Sequence, residues 1–307
     1  MKQRILAIGS SNIDFVANAE RMPEAGQTLI SSGSYSFVPG GKGANAAVAA
    51  ARLGADVIFC TRIGSDSHGK TLFKAYENEG IDIRYVTVDK ENKTGLASVF
   101  VEENGANRIT VFPGANLHIS NDDIEEAFTT YPDALLSQFE IPKESVLFAI
   151  KQANAADIPV FIDAGPVIPD LDISSLGKIE IFSPNESEAF AYTGIKPYDA
   201  ESYIKICINL YSKMDVKYIV LKLGDRGCYI YDGHKGEAVP SYRVIAVDTT
   251  AAGDAFTAAL TYEYLRSGDI RGACRYANAV GALTVTKAGA FPSLPYENDV
   301  IEFLRDN

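Results

Sequence analysis

Apolar runs of strand length alternate with stretches of helical periodicity along most of the chain, and this alternation limits the possible folds more than any other property. Six apolar runs predict strands, at 5–8, 57–61, 134–138, 160–163, 179–183 and 218–223. Helical patterns lie at 44–53, 69–79, 143–155, 186–192, 201–214, 252–266, 270–286 and 296–304. Such repetition is typical of a parallel sheet covered by helices on both faces. We therefore predict an α/β fold with a doubly wound, mainly parallel sheet.

Two segments, 13–36 and 94–113, break this alternation and contain extended pieces instead of helices. In the second segment, runs at 96–101 and 108–112 flank Asn104-Gly105, and Asn-Gly between alternating runs is a strong hairpin signal. Each segment is too short to build its own core, so together they predict a small β-sheet. No linker rich in Gly, Pro or Ser divides the chain, so we predict one domain over 1–307 that carries both segments as insertions.

Charge and composition exclude several classes of protein. The chain has 28 Lys and Arg against 40 Asp and Glu, and this net charge of −12 argues against duplex nucleic acid as a partner. No apolar run reaches the ~18 residues that a membrane span needs. The four cysteines lack the spacing of a metal finger or of a dense disulfide framework. We predict a soluble, cytoplasmic protein.

The string Asp248-Thr249-Thr250-Ala251-Ala252-Gly253-Asp254 precedes a helical pattern. The unpaired amides of a first helical turn, together with the helix dipole, form an anion site that suits a phosphate. A carboxylate in that turn, Asp254, can accept a proton from an attacking hydroxyl. The alternative is that Asp254 only complements the helix dipole, an effect of ~0.3–1 kcal/mol. The second carboxylate upstream, Asp248, favours the functional interpretation.

A glycine-rich string, Pro39-Gly40-Gly41-Lys42-Gly43-Ala44-Asn45, opens another helical pattern. It lacks the Gly-x-x-x-x-Gly-Lys-Ser/Thr spacing of a phosphate loop. Lys42 and Asn45 instead place polar groups at a helix start, where they suit the hydroxyls of a small ligand. The alternative is a tight turn that packs closely against its neighbours.

Polar side chains also follow several predicted strands, where the ligand crevice of an α/β sheet opens. Asn12 and Asp14 follow the first strand, and Glu140 follows the run 134–138. Asn185 and Glu188 follow the run 179–183, and their spacing is that of a capping box. The functional alternative places Asn185 and Glu188 near a hydrated magnesium ion, which takes only one or two protein groups.

Taken in order, these motifs make the chain resemble the ribokinase-like members of the PfkB family of carbohydrate kinases over nearly its whole length. The strings at 40–45 and 248–254 are specific signatures of that family. The shorter motifs that accompany them are Asn12-Ile13-Asp14, Gln138-Phe139-Glu140, Asn185-Glu186-Ser187-Glu188, Leu223-Gly224-Asp225-Arg226-Gly227 and Lys287-Ala288-Gly289-Ala290-Phe291-Pro292-Ser293.

The resemblance implies transfer of the γ-phosphate of ATP to a sugar hydroxyl, with D-ribose as the first acceptor to consider. It implies Asp254 as general base and an anion hole at Ala251, Ala252 and Gly253. The implied sugar-binding residues are Asn12, Asp14, Gly41, Lys42, Gly43, Asn45, Glu140 and Asp254. The implied ATP-binding residues are Asn185, Lys222, Leu223, Gly224, Asp225, Arg226, Gly227, Gly253 and Asn278.

The resemblance further implies magnesium near Asn185 and Glu188, and a monovalent cation, such as potassium, as activator. The positions that match the cation site are Asp248, Thr250, Thr284, Lys287, Gly289 and Ser293, mostly through backbone carbonyls. The segments 13–36 and 94–113 match the family's lid, which in ribokinases also forms a homodimer contact; we call them the lid segments.

The chain departs from the usual ribokinase pattern at three places. Ala46 stands where Gln is common, Asp163-Ala164-Gly165-Pro166 replaces Asn-Pro-Ala-Pro, and Lys222 replaces a Thr. These departures leave the acceptor open among ribose, fructose, another ketose or deoxysugar, and a nucleoside, for which Phe15, Tyr35 and Phe37 provide aromatic rings. A nicotinamide-dependent oxidoreductase would need Gly-x-Gly-x-x-Gly after the first strand, where Gly9-Ser10-Ser11-Asn12 stands. A non-catalytic sugar-binding or nucleotide-binding protein would be expected to have lost Asp254.

Overall fold

The computed structural model describes residues 2–103 and 106–307, which form thirteen strands and nine α-helices. The strands are β1 (Arg4–Ile8), β2 (Asn12–Ala19), β3 (Tyr35–Gly40), β4 (Asp56–Gly64), β5 (Val86–Asp89), β6 (Gly95–Glu102), β7 (Asn107–Phe112), β8 (Ala134–Ser137), β9 (Val160–Asp163), β10 (Lys178–Ser183), β11 (Asp215–Lys222), β12 (Cys228–Tyr231) and β13 (Gly236–Val239). The helices are α1 (Lys42–Arg52), α2 (Ser67–Asn78), α3 (Asn121–Phe128), α4 (Lys143–Ala155), α5 (Glu186–Thr193), α6 (Ala200–Tyr211), α7 (Ala252–Ser267), α8 (Ile270–Thr284) and α9 (Glu297–Asp306).

The large sheet has nine strands in the order β13-β12-β11-β10-β9-β8-β1-β4-β5. The neighbours from β11 to β5 run parallel, and only β12 and β13 pair antiparallel at one edge. This confirms the predicted doubly wound, mainly parallel sheet. Because the strands β8 to β11 and β1 are parallel neighbours, their carboxyl ends lie along one edge, where the residues that follow them can meet.

Alternate residues of each central strand face opposite sides of the sheet, as the two-residue period of a strand requires. In β1, Ile5 and Ala7 belong to the core under α1, α2, α7, α8 and α9. Leu6 and Ile8 belong to the core under α3, α4, α5 and α6. Helices therefore cover both faces, as predicted. No helix within the described part of the chain is both long and apolar enough to cross a membrane. The four cysteines are free and buried.

A second sheet of four strands, in the order β3-β2-β6-β7, is built from the lid segments. β2 pairs parallel with β6, while β3 and β7 pair antiparallel on the outside. The predicted small β-sheet and its hairpin strands are thus confirmed, whereas the predicted turn at Asn104-Gly105 lies outside the described residues. The treatment of the chain as one domain with inserted segments stays a prediction.

The sequence prediction lacked four elements, α3, β5, β12 and β13. The three strands have four residues each, which is too short for a clear period. Helix α3 has only eight residues and starts with polar ones, but Ser120 and Asp123 form a capping box that the spacing Ser-x-x-Asp could have revealed. None of these four elements supplies a predicted site residue.

Candidate active site

Two glycines allow the start of α1 to lie directly on the end of β1. Gly41 has a φ of 92°, a left-handed conformation that favours glycine. A Cβ on Gly43 would lie 2.5 Å from the carbonyl carbon of Gly9 and from the amide nitrogen of Ser10. The amide of Ala44 donates to the Ser10 carbonyl at 2.9 Å. The glycine-rich string therefore serves close backbone packing, and that packing carries the side chains of Lys42 and Asn45 to the end of the central strand.

Asp254 lies in the first turn of α7 and is only 5% exposed. Lys42 Nζ lies 3.2 Å from its Oδ1 oxygen, and Asn45 Nδ2 donates to its Oδ2 oxygen at 2.8 Å. The Asp254 carboxylate raises the pKa of Lys42, so this lysine stays protonated. Helices α1 and α7 thus bring together the two specific sequence strings, which lie more than 200 residues apart.

Asn45 has an unused acceptor. Its amide nitrogen is committed to Asp254, whereas its Oδ1 oxygen is buried and has no hydrogen-bond partner among the described residues. A buried polar atom without a partner is costly and calls for an explanation. A ligand hydroxyl that donates to Asn45 Oδ1 would supply one.

Glu140 connects the end of β1 to the start of α1. Its Oε2 oxygen accepts from Ser10 Oγ at 2.5 Å and from the amide of Lys42 at 3.0 Å. Ser10 was not among the predicted site residues, although it lies in the polar run that follows the first strand. The carboxylate of Glu140 is therefore fixed at the strand end, as the sequence predicted for a crevice residue.

Asn12 and Asp14 lie in β2. Asn12 is buried, and its Oδ1 accepts from Asn116 Nδ2 at 2.8 Å, a positioning contact that sequence reasoning missed. Burial, together with the negative charges of Glu140 and Asp254, raises the pKa of Asp14 to about 7. The carboxylates of Asp14, Glu140 and Asp254 therefore lie close enough for their charges to interact.

The predicted anion hole lies where α7 begins. Ala251 adopts a left-handed conformation with a φ of 62°, and its carbonyl accepts from the amide of Ala255 at 2.8 Å. Such a conformation is unusual for alanine. It reverses the chain, so that the amides of the first helical turn face outward without intrahelical partners. The amide of Ala252 makes only a long hydrogen bond, 3.3 Å, to the Thr249 carbonyl, and the start of a 16-residue helix is suited to bind an anion.

A cavity of about 670 Å³ adjoins this turn and is lined by Thr249, Ala252 and Gly253. Of the predicted ATP-binding residues, six line it: Lys222, Gly224, Asp225, Gly227, Gly253 and Asn278. Three others do not. Leu223 is buried in the core, Arg226 forms an ion pair with Glu186, and Asn185 caps α5.

The segment 241–246 supplies a wall of the large cavity that the sequence did not predict, although it carries exposed apolar residues shortly before Asp248.

A family model described as "pfkB family carbohydrate kinase" matches residues 2–296. The chain belongs to this family. It is 35% identical to a ribokinase of Haemophilus influenzae and 32% identical to a deoxyribokinase of Salmonella typhi, with 99% of each chain covered in both cases. The structure of Arabidopsis thaliana ribokinase complexed with ribose and ATP superposes with a TM-score of 0.90 at 31% identity, over 99% of each chain. These findings confirm the predicted family, fold and enzyme class, a phosphotransferase with an alcohol acceptor.

In this kinase, Asn185 and Glu188 form the capping box that the sequence offered as one interpretation. Asn185 Oδ1 accepts from the amide of Glu188 at 2.9 Å, and Glu188 Oε2 accepts from the amide of Asn185 at 2.8 Å. Burial is the main cause that raises the pKa of Glu188. The described residues contain no group of three or more His, Cys, Asp or Glu placed to hold a metal ion. One buried carboxylate and one amide fit an ion that keeps most of its water.

Asp248 joins the turn before α7 to the loop that follows α8. Its Oδ1 oxygen accepts from the amide and hydroxyl of Thr250, at 2.9 and 2.6 Å, and its Oδ2 oxygen accepts from the amide of Gly289 at 2.8 Å. These hydrogen bonds outweigh the effect of burial and lower the pKa of Asp248. The hydroxyls of Thr284 and Ser293 donate to nearby carbonyls instead, at Val280 and Ala290.

Proposed function

We propose that this kinase transfers the γ-phosphate of ATP to the primary hydroxyl of D-ribose and produces ribose 5-phosphate. One observation carries the proposal: Asp254, at the start of α7, is hydrogen-bonded to Asn45 and interacts with Asp14, while the residue before it, Gly253, lines the large cavity. A carboxylate in that place can take a proton from a hydroxyl while the hydroxyl attacks a phosphate in the cavity.

In the proposed reaction, the acceptor hydroxyl gives its proton to Asp254 while its oxygen bonds to the γ-phosphorus. The bond from that phosphorus to the bridging oxygen breaks, and ADP leaves. Lys42 and Asn45 hold the carboxylate through its two oxygens, so its orientation is fixed before substrate arrives. The amides at 251–253 stabilise the charge on the transferred group, because donors fixed in advance need no reorganisation.

The acceptor side favours a ligand with several hydroxyls. Asn45 Oδ1 needs a donor, and the carboxylates of Asp14 and Glu140 are acceptors as well. A sugar presents a donor on each carbon, so it can satisfy such a group of acceptors.

The aromatic rings of the lid argue against a nucleoside. Phe15 pairs with Phe37 across β2 and β3, whereas Asp14 pairs with Val38. Successive residues of a strand point to opposite faces, so the rings of Phe15 and Phe37, 5.1 Å apart, lie on the face away from Asp14. A base slot built from these rings would be on the wrong side of the sheet. Deoxyribose is the second candidate acceptor, because one relative of full length is a deoxyribokinase.

A panel of acceptors tests this proposal. Purified protein with magnesium ATP is offered ribose, deoxyribose, fructose and adenosine, and ADP release is measured against a reaction without acceptor. We expect ribose to give the highest kcat/KM. A higher value for any other acceptor, or no release above the acceptor-free rate, contradicts the proposal.

We propose magnesium as the divalent ion, held through water near Asn185 and Glu188. When bound, magnesium would neutralise charge on the phosphates of ATP.

We also propose that the lid segments exclude water from the site and that the protein is located in the cytoplasm. The proposal includes a homodimer through the lid, whose β3 and β7 are outer strands with exposed Tyr35, Phe37 and Ile109.

We also propose a potassium ion near Asp248, Thr250, Thr284, Lys287, Gly289 and Ser293. The support is that Asp248 already links the turn at 250–253 to the loop at Gly289. A cation there would fix the conformation of the anion hole at 251–253 without contacting the substrate. We expect higher turnover in potassium than in sodium or lithium chloride at matched ionic strength, since screening alone varies with salt. Asp248→Ala should remove this difference. Equal rates of the wild type in all three salts contradict the cation site.

Asp14 gives the folded protein a pH-dependent stability. Its carboxyl has a pKa of about 7 in the folded chain, against ~3.9 for an unfolded aspartate. Between these values the folded state keeps a proton that the unfolded state has lost, so the stabilising contribution of Asp14 falls as the pH rises from 4 to 7. We expect Asp14→Asn to raise the free energy of unfolding by up to about 4 kcal/mol at pH 8 and to change it little at pH 4.

Urea unfolding of both proteins at the two pH values measures this difference. Asp215→Asn, at the exposed start of β11, is the control for loss of a carboxylate. An Asp14→Asn protein that is less stable than the wild type at pH 8 contradicts the account of this carboxylate cluster.

A further inference from the structure

The three places at which the chain departs from the ribokinase pattern lie next to each other in the fold. Ala46 and Asp163 line a cavity of about 10 Å³ together with Lys42 and Asp254, a space for about one water molecule. Lys222 Nζ donates to Asp163 Oδ2 at 2.5 Å. Residues that lie far apart in the sequence therefore meet at one place, next to Asp254.

The Asp163–Lys222 ion pair is buried, with side chains that are only 5% and 10% exposed. It is also tied to α7. Thr257 Oγ1 lies 2.7 Å from Asp163 Oδ2 and accepts from Lys222 Nζ at 3.4 Å. Thr257 follows Gly253 by one helical turn, and its hydroxyl lies 3.0 Å from the Gly253 carbonyl. The ion pair thus holds a fixed position relative to the anion hole.

The negative charge of Asp163 is stabilised by Lys222. Burial alone would raise the pKa of Asp163, but the charges of Lys222 and Lys42, with hydrogen bonds from Lys222 and Thr257, outweigh it and lower that pKa. A buried ion is stable only when it is paired and hydrogen-bonded. Asp163 without Lys222 would therefore be a buried charge without its ion-pair partner.

The ammonium group of Lys222 lies beside the anion hole. It is 3.7 Å from the point where a Cβ on Gly253 would stand, and both residues line the large cavity. An ammonium has three N–H donors. Asp163 and Thr257 accept two of them. The third is available to a group that lies over Gly253.

We propose that Lys222, held in place by Asp163, donates this third N–H to an oxygen of the phosphoryl group in transfer. The pair then acts as one unit: Asp163 is the positioning residue, and Lys222 adds a positive charge that an uncharged Thr would not supply. This inference rests on the proposed kinase function. Because charge on the phosphoryl oxygens changes during transfer, the effect should be on kcat more than on the KM for sugar.

The test compares Asp163→Asn, Lys222→Thr and the double variant. Each single variant leaves a buried charge without its partner, so it can lose activity through misfolding alone. The double variant carries an uncharged pair and is expected to fold with a melting temperature close to wild type. We expect its kcat to remain about tenfold below wild type while its KM for sugar changes less than threefold. A double variant with wild-type kcat overturns the inference, because the pair would then be only structural.

A matched control is a second ion pair in the same sheet, on the neighbouring strands β10 and β11, of which β11 also carries Lys222. Lys217 Nζ is 2.5 Å from Glu180 Oε1, far from the site at the opposite ends of these strands. The double variant Glu180→Gln with Lys217→Thr should leave kcat unchanged. An equal loss of kcat in this control pair overturns the inference, since it would assign the effect to any ion pair between the strands.

Nucleotide binding gives a second readout, measured by calorimetry with ADP and with the ATP analogue AMP-PNP. We expect the Asp163→Asn, Lys222→Thr protein to bind AMP-PNP about tenfold more weakly and ADP within twofold of wild type, because only the analogue has a γ-phosphate. Equal effects on both nucleotides overturn the proposed role of Lys222 but leave the proposed kinase function in place. A wild-type protein that binds neither nucleotide overturns the proposed kinase function, and the inference with it.

Discussion

Asp254→Asn is expected to lower kcat by about 10²–10⁴-fold, the usual effect of removing a general base. Asparagine has the same shape as aspartate, and it keeps one oxygen that can accept from Asn45 or Lys42. It cannot take the proton of the acceptor hydroxyl. The geometry of the site would survive while its proton acceptor is gone, so the affinity for ATP should remain close to wild type.

Steady-state rates and calorimetric titration with ATP measure the two parts of this expectation. Glu263→Gln is a suitable control, because Glu263 lies in the same helix, α7, and its carboxylate forms an ion pair with Arg266 of that helix. It should leave kcat unchanged. An Asp254→Asn protein with turnover within a few-fold of wild type contradicts the assignment of Asp254 as the base.

Glu140→Ala is expected to weaken sugar binding by about 10- to 100-fold, the range that corresponds to loss of a hydrogen bond to a charged group, ~1.5–3 kcal/mol. The substitution removes a carboxylate from the acceptor side. It also leaves Ser10 Oγ and the amide of Lys42 without their common acceptor, so the start of α1 loses its link to the end of β1. Asn45→Ala should act in the same direction, because it removes both the unused acceptor Oδ1 and the donor to Asp254.

Calorimetric titration with ribose and with ATP, each alone, separates this effect from a general loss of structure. ATP affinity should change less than twofold, since Glu140 does not line the large cavity. Glu140→Gln is the matched variant, because it keeps the size and one acceptor oxygen while it removes the charge, and we expect an intermediate loss. If Glu140→Ala weakens both ligands equally, Glu140 is a structural residue only.

Much of this site was predictable from sequence, because the strings at 40–45 and 248–254 each contain residues that are required by the local backbone structure. Gly41 and Gly43 mark a backbone that must approach another strand, and Asp254 follows small residues at a helix start. Because the strands are parallel, residues that follow them meet at one edge. This rule places Asn12 and Glu140, whereas Lys42 follows the lid strand β3 and Asp254 follows the segment after the edge strand β13, so their meeting was implied only by the family resemblance.

The partners of these residues were not predictable in the same way. Ser10 and Asn116 act through contacts that depend on how loops pack, and neither belongs to a pattern with a known purpose. The pairing of Asp163 with Lys222 requires the strand order, since β9 and β11 both flank β10. Sequence alone marked these two positions as departures, and the reason became visible only in the folded chain.

The central claim is that the chain phosphorylates a primary sugar hydroxyl with Asp254 as the base. Phosphorus NMR of a reaction with ribose and magnesium ATP tests it most directly, because the number of protons on the phosphorylated carbon splits the product signal. We predict a new phosphomonoester signal that is a triplet, from two protons, and that forms at least 10²-fold more slowly with Asp254→Asn. A doublet, or a signal from inorganic phosphate alone, would contradict the account.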